Sequence, residues 1–432
     1  MKNKIGWKTA AALVISNMIG TGVFTSLGYQ LVDIQNTWSI ILIWIIGGLL
    51  ALIGAFTYAE LGTHFNESGG DYVFLTKLIH PLAGYLYAWI SLTVGFTAPI
   101  AISVMAMKSY LNPINPTIFN DWFGIFIILI LTIVHSFSIG QSAKFQNIST
   151  IVKVVFVLIL IAIGFYFVPT VNTSLNFTST WKGELLLPSF AVSLLYVTYA
   201  YTGWNAAAYI VEEIHDPRRN LPRALLIGTI LVTLVYVLLQ IVFLRHASVD
   251  QMSGKTEIAF ISFTNLLGAS GGKWISYFIA IQLIGTISGY LWIGSRMTSS
   301  MAKDYSLWKP IAIKNKNSIP IKALWLQAFI STILVITGTF EQVLLYAGFV
   351  LQLMGTLTVV SILRLKSRKD AFQSPLKPFL QIAFVLFSLW ILGYMLYERP
   401  KESLLGLVFV GTGFITYFIS NHTNHKKKNG PV

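Results

Sequence analysis

Apolar stretches of about 20 residues recur along this chain, the length an α-helix needs to cross a hydrocarbon core roughly 30 Å thick. Twelve follow one another, starting near Thr9, Trp38, His80, Trp122, Asn147, Pro188, Arg223, Lys273, Ile321, Glu341, Leu376 and Leu404. With no water in that core, each span has to satisfy its own backbone N–H and C=O groups, which a helix does within one segment. Residues are 55% hydrophobic and only 11% charged, against about a quarter charged in soluble domains. The expected fold is an all-α polytopic membrane protein of twelve transmembrane helices in a single domain over residues 1–432. The first run is too long for a secretory signal, carries Asn17 in its middle and has no Ala-x-Ala-like cleavage site, so it is expected to remain as the first span.

A formal charge of +14 invites a nucleic-acid partner until the basic residues are sorted by the side of the membrane they occupy. With the amino terminus inside, 21 of the 30 Lys and Arg residues fall on the cytoplasmic side, the basic tail at 421–432 included, and 7 outside; Lys153 and Arg296 lie within spans. The charge is therefore a topology signal that also favours anionic lipid. It points to the bilayer of the cell membrane, with both termini cytoplasmic, rather than to nucleic acid. There is no cysteine, so neither a disulfide nor a thiolate metal site is available. No cofactor and no metal is expected, and the seven histidines show no ligand spacing. Connections between spans are short, the longest being Pro169 to Leu187 and Arg245 to Gly272, so the function has to lie within the membrane.

Two spans are interrupted. "SNMIGTGVF", residues 16–24, places Gly-Thr-Gly inside the first run, and "YAYTGWNAA", residues 199–207, places Thr-Gly inside the sixth. Glycine in a span often means only close helix packing. Breaks five spans apart also match the discontinuous helices that inverted-repeat transporters carry in corresponding positions. Two five-helix repeats, 9–168 and 188–365, followed by two extra helices at 376–420, account for all twelve. Unwound backbone is tolerated at membrane depth only where it lines a cavity or meets a ligand. A half-helix that starts at a break offers N–H groups and the positive dipole end to a carboxylate. One that ends there offers carbonyls to an ammonium. Facing breaks therefore suit the zwitterionic end of an amino acid.

Among charged residues in spans, Lys153 reads either as a functional cation or as a side chain snorkelling to the interface. Arg296, Glu60 and Glu341 read as interfacial, and His135 as a packed, hydrogen-bonded residue. No acid falls in the middle of the first, third, sixth, eighth or tenth spans, which argues against a counter-ion for a basic substrate.

The chain resembles the amino acid-polyamine-organocation superfamily, within it the L-type amino acid transporter-like branch. The likeness rests on "MIGTGVF", "YAELGTHFNESGGDYVFL" (58–75), "QNISTIVK" (146–153), "YTGWNAAAYIVEEIHDPRRNLPRA" (201–224) and "GSRMTSSMAKD" (294–304). It implies a leucine-transporter-like arrangement of two inverted five-helix repeats plus two peripheral helices, with substrate between the broken first and sixth helices. It further implies that the carboxylate meets Thr21 and the N–H groups around Gly22, and the ammonium the carbonyls of Met18, Tyr199 and Thr202. Tyr199 would gate the site, Asn205 would contribute to coupling or binding, and Tyr290 would line the side-chain pocket. Lys153 would stand where sodium-coupled relatives hold a cation.

The function expected is a secondary permease of neutral amino acids, sodium-independent, working by exchange or proton symport through alternating access, with protons as a candidate coupling ion. Cationic amino acids or polyamines on the same scaffold are the alternative. A polytopic membrane enzyme and a channel are the remaining classes, with neither the clustered acids, bases or ligands nor the charged ring they need. No accessory subunit is indicated by the sequence.

Overall fold

A computed structural model describes residues 4–137, 140–169, 175–366, 368 and 370–428, and among these the side chains of all but 140–150 and 421–428. The basic tail, Lys2, Lys144 and Lys369 lie outside the described side chains. The helices are α1 (Trp7–Met18), α2 (Gly22–Gln30), α3 (Thr37–Phe65), α4 (Asp71–Leu78), α5 (Pro81–Ile90), α6 (Thr97–Leu111), α7 (Asp121–Phe137), α8 (Gly140–Tyr166), α9 (Trp181–Glu184), α10 (Pro188–Ala200), α11 (Pro217–His246), α12 (Val249–Met252), α13 (Ile258–Ala302), α14 (Lys309–Ala312), α15 (Ile321–Thr337), α16 (Phe340–Ser361), α17 (Phe379–Glu398) and α18 (Pro400–Lys428). Eight helical stretches are long and apolar enough to cross a membrane, and four more apolar helices of 10–17 residues accompany them. Among the described residues the only β pairing is an isolated bridge between Ile5 and Ile214.

Local chemistry sets the boundaries. Asn36 caps α3 by accepting from the Trp38 N–H, and Asn66 ends that helix in the left-handed region at φ 53°. Pro81 and Pro188 open α5 and α10, where a missing N–H costs nothing. A π-turn at Ser91–Gly95 joins α5 to α6, a local widening of the helix that recurs at functional sites. One boundary differs from the expectation: α13 begins at Ile258, not near Lys273, and bends at Gly268, φ 76°. Glycine allows that bend, so the segment expected as a loop before the eighth span is largely helical.

Of the apolar window in Pro81–Leu111, 89% is buried, against 33% in each of α17 and α18. The third span is therefore central and the last two peripheral. α3 and α1 both lie along α11, while α6 lies along α13.

Ile5 and Ser420, near the two ends of the described residues, lie on one face. The N–H of Ile5 donates to the Glu213 carbonyl at 2.8 Å, and the neighbouring Glu212 N–H donates to Ser68 Oγ. Farther along the same loop, Tyr72 donates to Asp304 Oδ2 at 2.6 Å, with burial pushing the Tyr72 hydroxyl well above its ordinary pKa. Ser306 then reaches the Ser420 carbonyl. We call this the terminal face. The opposite face is closed: Tyr29 stacks between Tyr196 and Phe340 at 5.8 and 5.6 Å and bonds to Thr256. The Gly254 N–H donates to the Gly28 carbonyl.

Glu60, expected at the interface, is 3% exposed. It accepts from Lys377 Nζ at 2.7 Å and from the Ser374 N–H at 2.9 Å, which straps the segment before α17 onto the terminal end of α3. Lys377→Met leaves that buried carboxylate without its cation and is expected to cost about 2 kcal/mol, between the surface and fully buried limits for an ion pair. Thermal unfolding of the purified protein checks this, with the Glu60→Gln/Lys377→Met double variant expected to recover most of the loss.

Candidate substrate site

The first and sixth runs are broken as their glycines require. α1 stops at Met18, Ile19 turns extended at ψ 97°, and α2 restarts at Gly22. α10 stops at Ala200, and turns through Gly203 at φ 103° lead to a 3₁₀ helix at Ala206–Glu213. The two breaks lock reciprocally. A Cβ on Gly22 would stand 2.6 Å from both Cα and Cβ of Ala200, and one on Gly203 would stand 2.7 Å from the carbonyl carbon and oxygen of Asn17. A Cβ on Gly20 meets nothing closer than 3.9 Å, so packing demands the second glycine of Gly-Thr-Gly and not the first. The Tyr236 hydroxyl of α11 donates to the Met18 carbonyl and lies 3.2 Å from that of Ala200, pinning both broken ends from the side.

Beneath the breaks lies a cavity of about 590 Å³. Tyr199, Thr202, Asn205 and Tyr290 all line it, so four of the residues singled out from sequence are brought together. Met18, Thr21 and Gly22 are buried behind its wall, where α1 contributes Leu13 and Asn17 instead. Among the described residues the N–H groups of Thr21 and Gly22 donate to no acceptor, as the start of a half-helix leaves them. The carbonyls are more committed: that of Tyr199 accepts from both the N–H and the hydroxyl of Thr202, at 3.0 and 2.7 Å. The lining also carries Asp71, Glu213 and Arg296, all close in sequence to terminal-face residues, so the cavity extends from the breaks toward that face while the opposite face is shut.

Lys153 is 3% exposed, and its ammonium donates to Thr286 Oγ1 on α13 at 2.7 Å. The snorkelling alternative is thereby corrected, because the charge points into the bundle. A small cavity of about 40 Å³ separates it from the breaks, lined by Ser16, Asn17 and Ile19 and sharing Tyr290 with the larger one. Among the described residues no carboxylate lies within ion-pair distance of Lys153. His135 is packed as expected, bonded to Ser288 at 2.8 Å. Arg296 is not the interfacial anchor expected: it lines the cavity with its guanidinium 4.8 Å from the Trp292 ring.

Sequence reasoning missed a cluster at the terminal end of the cavity. Asp71 is 1% exposed and accepts from Tyr58, Thr358, Tyr209 and Asn205. Its signal was present in the quoted "NESGGDYVFL", where Gly69 and Gly70 have positive φ values of 132° and 54° and turn the chain back into the protein. Tyr236 had no signal, being one of 19 tyrosines.

The sequence pattern described as amino acid permease matches residues 5–419. The chain belongs to that family. At 29% identity over 446 aligned positions, it is similar to the mouse large neutral amino acids transporter small subunit 2, covering 99% of this chain and 83% of that protein. It is 28% identical to the mouse Asc-type amino acid transporter 1, covering 99% and 83%, and 28% identical to the mouse b(0,+)-type amino acid transporter 1, covering 97% and 88%. These relatives place the permease in the L-type branch and decide for carriage over catalysis. They also correct one expectation. A relative named a small subunit is part of a larger assembly, so an accessory subunit is indicated after all. Lack of cysteine removes only a covalent link, which is why sequence could not decide the matter.

Gly22→Val is expected to abolish amino acid binding while the spans remain inserted, because its side chain has to occupy the space of Ala200. Gly20→Ala, with open space around it, is expected to retain binding within about threefold. Ligand-dependent thermal shift on both purified variants checks this. Tyr236→Phe, which removes the hydroxyl that donates to the Met18 carbonyl, is expected to lower exchange in proteoliposomes about tenfold, the scale of one well-placed hydrogen bond.

Proposed function

We propose that this permease carries neutral amino acids, independently of sodium, by exchange or proton symport through alternating access. The observation that carries the reading is the 590 Å³ cavity beneath two reciprocally packed helix breaks, closed on one face. In this account the substrate carboxylate takes the N–H groups of Thr21 and Gly22, once α1 and α2 move to bring them to the cavity. The ammonium shares the carbonyls of Met18, Tyr199 and Thr202, Tyr199 gates, and Tyr290 contacts the side chain. A neutral substrate is favoured over cationic amino acids or polyamines because, among the described residues, the one acid buried in the cavity wall, Asp71, already receives four donors, filling the acceptor positions of a carboxylate.

The eight long and four shorter apolar helices support twelve spans in two inverted five-helix repeats, 9–168 and 188–365, with 376–420 peripheral. The terminal face is the cytoplasmic one on the distribution of basic residues, which makes this conformation open to the inside. Lys153 supplies, near the break, the positive charge that a sodium ion supplies in coupled transporters. The name of one relative, a small subunit, favours an accessory chain, held here without a disulfide.

Thermal shift against a panel of amino acids, followed by counterflow in proteoliposomes, tests the reading. Stabilisation by neutral amino acids and equal exchange in sodium and choline buffers are expected. Stabilisation by none of them, with no exchange, contradicts it. Lys153→Ala is expected to reduce exchange at least tenfold while unfolding within a few degrees of the parent protein, and normal exchange by that variant removes its coupling role.

A further inference from the structure

The Asp71 cluster lies at the edge of the site, and its hydrogen bonds can be given directions. A carboxylate only accepts. The group within 3.3 Å of Asp71 Oδ2 must therefore be the Asn205 amide nitrogen, Nδ2, not the amide oxygen. Tyr209 lies 2.7 Å from the same oxygen and spends its one proton there. It follows that Tyr87, bonded to the Tyr209 oxygen, is the donor of that pair, and that the second contact of Asn205 Nδ2, to Tyr209 at 3.3 Å, is a donation as well. Tyr58 and Thr358, the latter at 2.8 Å, both donate to Oδ1. Both amide contacts of Asn205 are thus fixed as donations through Nδ2. The amide oxygen is turned away from the carboxylate, and among the described residues it accepts from nothing, on a residue that lines the cavity.

We propose that Asp71 is a positioning residue. It holds the Asn205 amide so that its oxygen faces the cavity as an acceptor for the ammonium of the amino acid. This rests on the transport reading above and deepens it. The sixth-helix break would then receive the ammonium on two kinds of oxygen, backbone carbonyls and a side-chain amide whose orientation is set from outside the break. Without Asp71 the amide is free to rotate and present its NH₂ group, which repels an ammonium. The cluster joins α3 (Tyr58), α4 (Asp71), the 3₁₀ helix (Tyr209) and α16 (Thr358), so its loss could also act through packing alone, and the test has to separate the two.

Binding is measured on the purified full-length protein by competition, comparing a neutral amino acid with the α-hydroxy acid of the same side chain. The two ligands share carboxylate and side chain, and only the first carries an ammonium. Asp71→Asn is expected to lower the selectivity for the amino acid about tenfold, the scale of one charge-assisted hydrogen bond, with the α-hydroxy acid affected less than twofold. The exchanged pair Asp71→Asn/Asn205→Asp, which again sets an amide against a carboxylate and leaves an acceptor facing the cavity, is expected to restore the selectivity. Equal weakening of both ligands in Asp71→Asn, the signature of a purely structural role, overturns the proposal, and so does an unchanged ratio. If Asp71→Asn does not fold, Asn205→Leu leaves Asp71 three hydroxyl donors and is expected to show the same selective loss; an unchanged ratio there overturns the proposal equally. Parent protein that binds no amino acid defeats the transport reading itself, whereas parent protein that binds, with a variant that keeps its ratio, defeats only the positioning role.

Discussion

Everything in this permease turns on two glycines pressed against each other's broken helix. Gly22 closes on Ala200 and Gly203 on Asn17, each at a distance that leaves no room for a Cβ. This contact lets unwound backbone exist at membrane depth, because each break buries the other and lipid reaches neither. The Tyr236 hydroxyl joins them from α11, and the bridge between Ile5 and Ile214 ties the same two chain segments again at the terminal face. The two broken segments are therefore joined at both the breaks and the terminal face, which fits the rocking bundle of the transport reading proposed above.

Around that unit stand three charged groups. Lys153 directs its ammonium to Thr286, Arg296 lies against the Trp292 ring, and Asp71, within its donors, bonds to Asn205 of the sixth-helix break. On the far side stands the stack of Tyr196, Tyr29 and Phe340. On the alternating-access reading proposed above, a structure closed on one face and hollow on the other is one end-state of the cycle. On that reading, the contacts that must break to reach the other state are the aromatic stack, the Tyr196 hydroxyl on Glu341, and the Gly254 N–H on Gly28.

What could be read from the chain was whatever lay contiguous in it. The Gly-Thr-Gly and Thr-Gly interruptions announced the breaks, since glycine there contradicts the surrounding helix, and Lys153 stood out as a charge in an apolar run. Four of the site residues, Tyr199, Thr202, Asn205 and Tyr290, do meet at one cavity. The rest depended on packing between distant segments. Nothing in "GGDYVFL" states that a carboxylate will gather donors from residues 58, 205, 209 and 358, and nothing near Tyr236 marks it as the bridge between two breaks. The bend at Gly268 and the inward turn of Arg296 were hidden for the same reason: a lone glycine or arginine near a helix end has several outcomes, and its neighbours choose among them.

The account's main claim is that the breaks together hold the zwitterionic end of the substrate. A structure determined with a neutral amino acid bound, in lipid, tests it most directly. The account predicts the carboxylate within hydrogen-bond distance of the Thr21 and Gly22 N–H groups, and the ammonium against the oxygens of the sixth-helix break. An amino acid bound in the reverse sense, or seated in the cavity without touching either break, contradicts it.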